Sequence, residues 1–104
     1  GAHGGSKQKI FQKRVEKARH IQLARFKDAS YSSNSEMKNK DIKIHCKLSD
    51  ESIELMRQAM SHLHLSARSF HRILKLARTI ADLEGKKDIE TPHVAEALQY
   101  RGKN

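Results

Sequence analysis

The chain has 104 residues, 37% hydrophobic and 32% charged, which suits one small domain with a modest core and a heavily solvated surface. Gly is scarce, Pro92 is the only proline, and no apolar run nears the ~20 residues of a membrane span; a turn-rich all-β fold and a spanning helix are excluded. The net charge of +9 is uneven: residues 1–30 carry eight Lys/Arg against two acids (+6), residues 31–65 five of each (0), and residues 66–104 eight against five (+3). That bias suits an anionic partner without choosing among nucleic acid, phosphate and an acidic protein face.

"GAHGGS", residues 1–6, reads as a disordered tag remnant, and no signal peptide is visible. The segment "KQKIFQKRVEKARHIQLARFK", residues 7–27, is periodic. Phe11, Val15, Ala18, Ile21 and Gln22 make a thin stripe at helical spacing, flanked by Ile10 and Phe26. Lys7, Lys9, Lys13, Arg14, Lys17, Arg19, Arg25 and Lys27 crowd the other faces. A helix with so narrow a seam is held by packing on something else.

"DASYSSNS", residues 28–35, is a loop, with Asn34 or Ser35 able to cap a helix after it. In "DIKIHCKL", Ile42, Ile44, Cys46 and Leu48 alternate as in a strand. A lone strand would have no partner here, so a short helix or an irregular segment is expected. Cys46 has no disulfide partner in the chain, which suits a reducing cytoplasm, and it is expected to be a buried small hydrophobe.

Ser49 then caps a helix with Asp50 and Glu51 in its first turn and Ile53, Met56, Ala59, Met60 and Leu63 as its buried stripe. "SARSFHRILKLARTIADLEG" is the clearest helix. Ser66 caps it, Phe70, Ile73, Leu74, Ala77, Ile80 and Ala81 form the stripe, and Gly85 stops it. "TPHVAEALQYR" opens with Thr91 as cap and Pro92 at the first helical position, with Val94, Ala97 and Leu98 inward. The expected fold is all-α, a bundle of four to five helices.

Motifs for catalysis are lacking. "GKKD", residues 85–88, has neither the upstream glycine nor the hydroxyl residue of a phosphate loop, and no G-x-S-x-G or H-E-x-x-H occurs. His62 and His64 fall on different faces of a helix, so no metal site is expected. The chain is not expected to be an enzyme on its own. The basic first segment offers Lys13, Arg14, Lys17, Arg19 and Arg25 as a docking or nucleic-acid face; the five aromatics form no stacking set and no helix-turn-helix supports base readout. Arg68 falls in the first turn of the clearest helix, where the macrodipole disfavours a cation. Arg72 lies one turn on, on the same face. An ordinary surface arginine paired with a carboxylate would account for Arg68, and so would an anionic ligand.

"LSARSFHRILKLARTIADLEG" followed by "HVAEALQYR" resembles the C-terminal domain of magnesium-chelatase-like AAA+ ATPases of the ComM/YifB group. The likeness extends to Val15, Ala18, Arg19, Gln22, Arg25 and Phe26, and to Asn34, Met37, Cys46 and Leu48. It implies that residues 7–104 are a helical lid closing over ATP and Mg²⁺ held by an upstream P-loop domain, and that the isolated lid binds no cofactor. It further implies that Arg68, in an [ST]-x-R setting, is a sensor-2 arginine for that ATP, with Arg72 as a supporting residue and Ser66 as the cap that holds the site. The whole protein would be a cytoplasmic, hexameric DNA-processing motor linked to competence and recombination, whose neighbouring subunits and P-loop domain are the lid's partners. Contact with DNA by the lid stays open, and no membrane is involved.

Overall fold

The computed structural model describes the backbone of residues 2–101 and the side chains of residues 12–100. Among the described residues five α-helices occur in chain order: α1 (Ala2–Arg25), α2 (Asn39–His45), α3 (Asp50–Leu63), α4 (Ala67–Leu83) and α5 (Thr91–Arg101), with a 3-10 turn at Asn34–Glu36. No strand occurs among the described residues, so the domain is all-α.

α4 is the hub, because α1, α2, the 3-10 turn and α5 all pack on it, while α3 packs on α5. Its sequence explains this. Ile73, Leu74, Ala77, Ile80 and Ala81 are buried as their spacing predicts, and the two alanines let neighbouring helices approach closely. Ser66 accepts a hydrogen bond from the Ser69 N–H at 3.2 Å and caps the start. The end is a Schellman turn: the Lys86 N–H reaches the Ala81 carbonyl and the Gly85 N–H the Asp82 carbonyl, both at 2.9 Å. Gly85 takes φ +72°, where a side chain would be strained, and the tip of Lys17 lies 3.1 Å from where a Cβ would stand.

α1 already includes residues 2–6, expected to be disordered. Once a helix is nucleated, extending it by one residue adds a hydrogen bond at little further cost. Gly1 and the side chains of Ile10 and Phe11 lie outside the described residues. Of the remaining stripe, Ala18 is buried, and Phe26 is buried just past the helix end. α1 packs on α4, and between residues 12 and 25 most of its side chains are exposed, as the thin seam requires. The radius of gyration, 14.8 Å, exceeds the ~13 Å of a compact chain this long.

The first five residues of "DIKIHCKL" are helix and Cys46 caps its end: Ile42 and Cys46, four apart, are both buried, while Ile44 between them is 61% exposed. The α3 stripe differs from expectation. Ile53 and Leu63 are 45% and 44% exposed, and Ser52 is fully buried instead. The Ser52 hydroxyl meets that of Thr91 at 2.9 Å, and this close approach of α3 to α5 turns Ile53 outward. Thr91 is therefore the first residue of α5 and not its cap. The Glu90 carbonyl takes the first bonds, from the N–H groups of His93 and Val94.

Candidate functional site

α4 carries charge at both ends, and the two ends are built differently. At the N-terminal end, Arg68 and Arg72 are exposed. Among the described residues neither has a hydrogen-bond or ion-pair partner. Arg68, Arg72, Lys75 and Thr79 succeed one another at spacings of four, three and four residues and so share one face of the helix. Arg72 and Lys75, with Ser35, Ser69, Thr79 and Tyr100, rim a cleft of about 550 Å³ between α4 and α5, floored by Ile73, Leu76 and Ala97. The Lys75 ammonium donates to the Ser35 carbonyl at 3.2 Å. On the other side of the Arg68 turn, Ala67 and Phe70 join Leu48, Ile53, Met56, Arg57 and Met60 around a shallow apolar notch against α3.

At the C-terminal end the charges are buried. The Asp82 carboxylate, fully inaccessible, accepts both Arg25 terminal nitrogens at 2.8 Å in a fork and Asn34 Nδ2 at 2.8 Å, and forms an ion pair with Arg78, whose Nη2 stands 3.1 Å away. Arg25 Nη1 also reaches Asn34 Oδ1 at 2.8 Å, and Asn34 Nδ2 reaches Thr79 Oγ1 at 3.1 Å. The Asn34 N–H donates to Gln22 Oε1 at 3.0 Å. The second guanidinium, Arg78, is met by carbonyl oxygens of Lys87 at 3.0 Å, Lys86 at 2.9 Å and His45 at 3.4 Å. One carboxylate thus joins α1, the 3-10 turn and α4, and Arg78 ties in the end of α2 and the α4–α5 loop. The cluster lies inside the fold, and of its guanidinium nitrogens Arg78 Nε is buried without a hydrogen-bond partner among the described residues.

This placement corrects two sequence expectations. Arg25 is not part of a free basic face: its fork is closed on Asp82. Asn34 is no cap: it is 1% exposed and its amide completes the cluster. Of the other basic-face residues, Arg14 and Lys17 line a notch with Leu83, Glu84 and Gly85, bringing positive charge to the end of α4, whose own last turn has no basic residue. Lys13 and Arg19 are exposed on α1.

His93, Arg78 and Asp82 were not anticipated as buried polar residues. His93 is 1% exposed; its Nδ1 accepts the Glu90 N–H at 2.9 Å, so the proton sits on Nε2, 3.2 Å from Glu84 Oε1. With these two contacts the imidazole fastens the start of α5 to the end of α4. A signal for the Arg78–Asp82 pair existed in their spacing of four, although it does not say that the pair is buried. Burial, partly opposed by Arg78 and Arg25, pushes the Cys46 thiol up to about 11, so the protonated, unreactive form prevails at neutral pH. Burial and the Arg25 charge hold the His45 imidazole below its ordinary range.

Comparison with known proteins agrees in one direction. The family described as "Magnesium chelatase, subunit ChlI C-terminal" matches residues 5–101. The chain is similar to the competence protein ComM of Haemophilus influenzae, 44% identical over 88 residues, covering 85% of this chain and 16% of the relative. It is also similar to the uncharacterized protein YifB of Salmonella typhimurium, 34% identical over 100 residues, covering 96% of this chain and 19% of the relative. The YifB of Escherichia coli is 38% identical over 68 residues, covering 65% of this chain and 13% of the relative. The chain thus spans between an eighth and a fifth of the length of these relatives.

Proposed function

We propose that this chain, which belongs to the magnesium chelatase subunit ChlI C-terminal family, acts as the helical lid of a longer AAA+ ATPase in which Arg68 reads the γ-phosphate of bound ATP. The observation that carries the proposal is the pairing of an exposed arginine in the first turn of α4 with a helix anchored at its other end. The first-turn N–H groups and a guanidinium converge there, and a phosphate presented by another domain would satisfy both. ATP and Mg²⁺ would be held by an upstream P-loop domain. The lid would bring Arg68 to charge that develops during phosphoryl transfer, where a fixed donor has most effect. Arg72, one turn further, supports the same charge, and Ser66 keeps the first turn in shape.

α1 gives the lid a second attachment. Its exposed Lys13 and Arg19 suit docking on the P-loop domain or on a neighbouring subunit of a hexamer. The name of one relative, a competence protein, supports linking the longer motor to competence, and with it to DNA uptake or recombination. The test is Arg68→Ala in the full-length protein. We expect ATP turnover to fall by about 10²-fold, with the domain still folded and nucleotide still bound. Turnover within twofold of the unaltered protein overturns the reading.

A further inference from the structure

α2 carries an apolar residue on the wrong side. Ile44 is 61% exposed, more than any other large hydrophobic among the described residues. With Ile42 and Cys46 turned inward, the helical repeat carries Ile44 to the outer face. Lys40 and Lys43 before it and Lys47 after it are exposed too, and Asp41 is the one acid of residues 39–47. A single surface isoleucine needs no explanation. One that sits among lysines, next to a hollow of its own shape and the opposite charge, does.

That hollow begins a few residues on. The first turns of α3 expose Asp50, Glu51 and Glu54, with Arg57 the one base, 3.7 Å from Glu54. Ile53 and Arg57, one turn on from Asp50 and Glu54, line the notch of about 300 Å³ between α3 and α4. Its wall is apolar, made by Met56 and Met60 with Ala67 and Phe70 across from them, and methionines adapt readily to a side chain that enters. The α2 segment thus holds three bases, one acid and an apolar tip. The start of α3 holds three acids, one base and an apolar hollow.

We infer that this chain pairs with a second copy by a reciprocal contact, Ile44 of each copy entering the α3–α4 notch of the other, with Lys40, Lys43 and Lys47 facing Asp50, Glu51 and Glu54. The fold puts both halves where such a contact needs them. Ala67, Leu74 and Arg78, at spacings of seven and four, share one face of α4. Ala67 lines the notch, and Arg78 holds the end of α2 by donating to the His45 carbonyl at 3.4 Å. Tip and notch therefore lie on the same side of α4, so two copies related by a two-fold axis satisfy both contacts at once and the association stops at a dimer. An end-to-end contact would go on growing. Neither Arg68 nor Arg72 lines the notch, so the pairing does not draw on the arginines assigned to the phosphate. Two contacts of this size stay under about 1,200 Å², so the dimer is weak and weakens further with salt.

The experiment is sedimentation velocity of the 104-residue chain without nucleotide, from about 10 μM to about 1 mM, at low and at high salt, with amide NMR shifts followed over the same range. We expect a monomer–dimer equilibrium with nothing larger, less dimer at high salt, and shifts at residues 40–47 and around Met56, Met60 and Phe70 that rise together along one binding curve. Ile44→Glu spoils the tip and Glu54→Lys the rim of the notch; each is expected to weaken the dimer by about tenfold or more, while Ile44→Leu keeps it. All three changes fall on exposed side chains, and a thermal melt checks that each variant is folded; Lys43→Glu or Glu51→Lys replaces one that is not. A chain that stays monomeric to about 1 mM overturns the inference. So does a dimer that survives Ile44→Glu, growth beyond a dimer, or shifts that fall on α1 in place of α2 and the notch.

Discussion

The two ends of α4 hold the same residue type in opposite circumstances. Near the C-terminal end, Arg25 and Arg78 close on Asp82 inside the fold, with Asn34 and three carbonyl oxygens as further partners. At the N-terminal end, Arg68 and Arg72 stand in solvent. A guanidinium closed on a carboxylate within the fold holds the domain together. One left open is available to something outside it. The contrast also connects the two: the buried end fixes α1, the 3-10 turn and α4 together, and so sets where Arg68 points.

The largest expected effect comes from breaking the buried end. Asp82→Ala leaves two guanidiniums buried without their carboxylate and should destabilise the domain by about 3–5 kcal/mol, read as a lower denaturant midpoint. A loss below about 1 kcal/mol would mean that water or rearranged carbonyls replace the carboxylate, and the hub would lose its place in the comparison. Asn34→Ala should remove about 1–3 kcal/mol, because Arg25, the Asp82 oxygen and the Thr79 hydroxyl each lose a partner. At the open end, Ser66→Ala should remove about 1 kcal/mol, and amide exchange should speed up at Ser69, whose N–H is the one released. Unchanged exchange there would show that the hydroxyl of Ser66 does not hold the first turn. Smallest of all, Arg68→Ala should move the stability of this chain by no more than about 0.5 kcal/mol, while in the full-length protein it lowers turnover. A large loss of stability would show that Arg68 belongs to the fold and would erase the difference between the two ends.

Much of the fold was legible because helices announce themselves locally. The Ser49 and Ser66 caps, the α4 stripe and the Gly85 stop all depend on residues within one or two turns of each other. The misassigned residues share a cause. Arg25 and Asn34 read as a surface cation and a cap because their partner, Asp82, is 57 and 48 residues away. Ile53 read as core because helical spacing identifies a stripe without saying which part of it a neighbour covers; the Ser52–Thr91 contact rotated that choice. The alternation in "DIKIHCKL" was uninformative for the same reason: Ile42 and Cys46 satisfy both periods, and only the exposure of Ile44 decides between them.

By itself, then, the sequence determined the all-α class, the main helices and most of their ends, the position of Arg68 in a first turn, and a family likeness carried by a long motif. These come from spacing, capping and chain stiffness, which act over a few residues. Tertiary structure alone decided which arginines are buried, because an arginine is drawn inside only where a carboxylate and enough carbonyl oxygens converge from distant parts of the chain to replace its water. That convergence took Arg25 and Arg78 into the fold and left Arg68 and Arg72 on its surface.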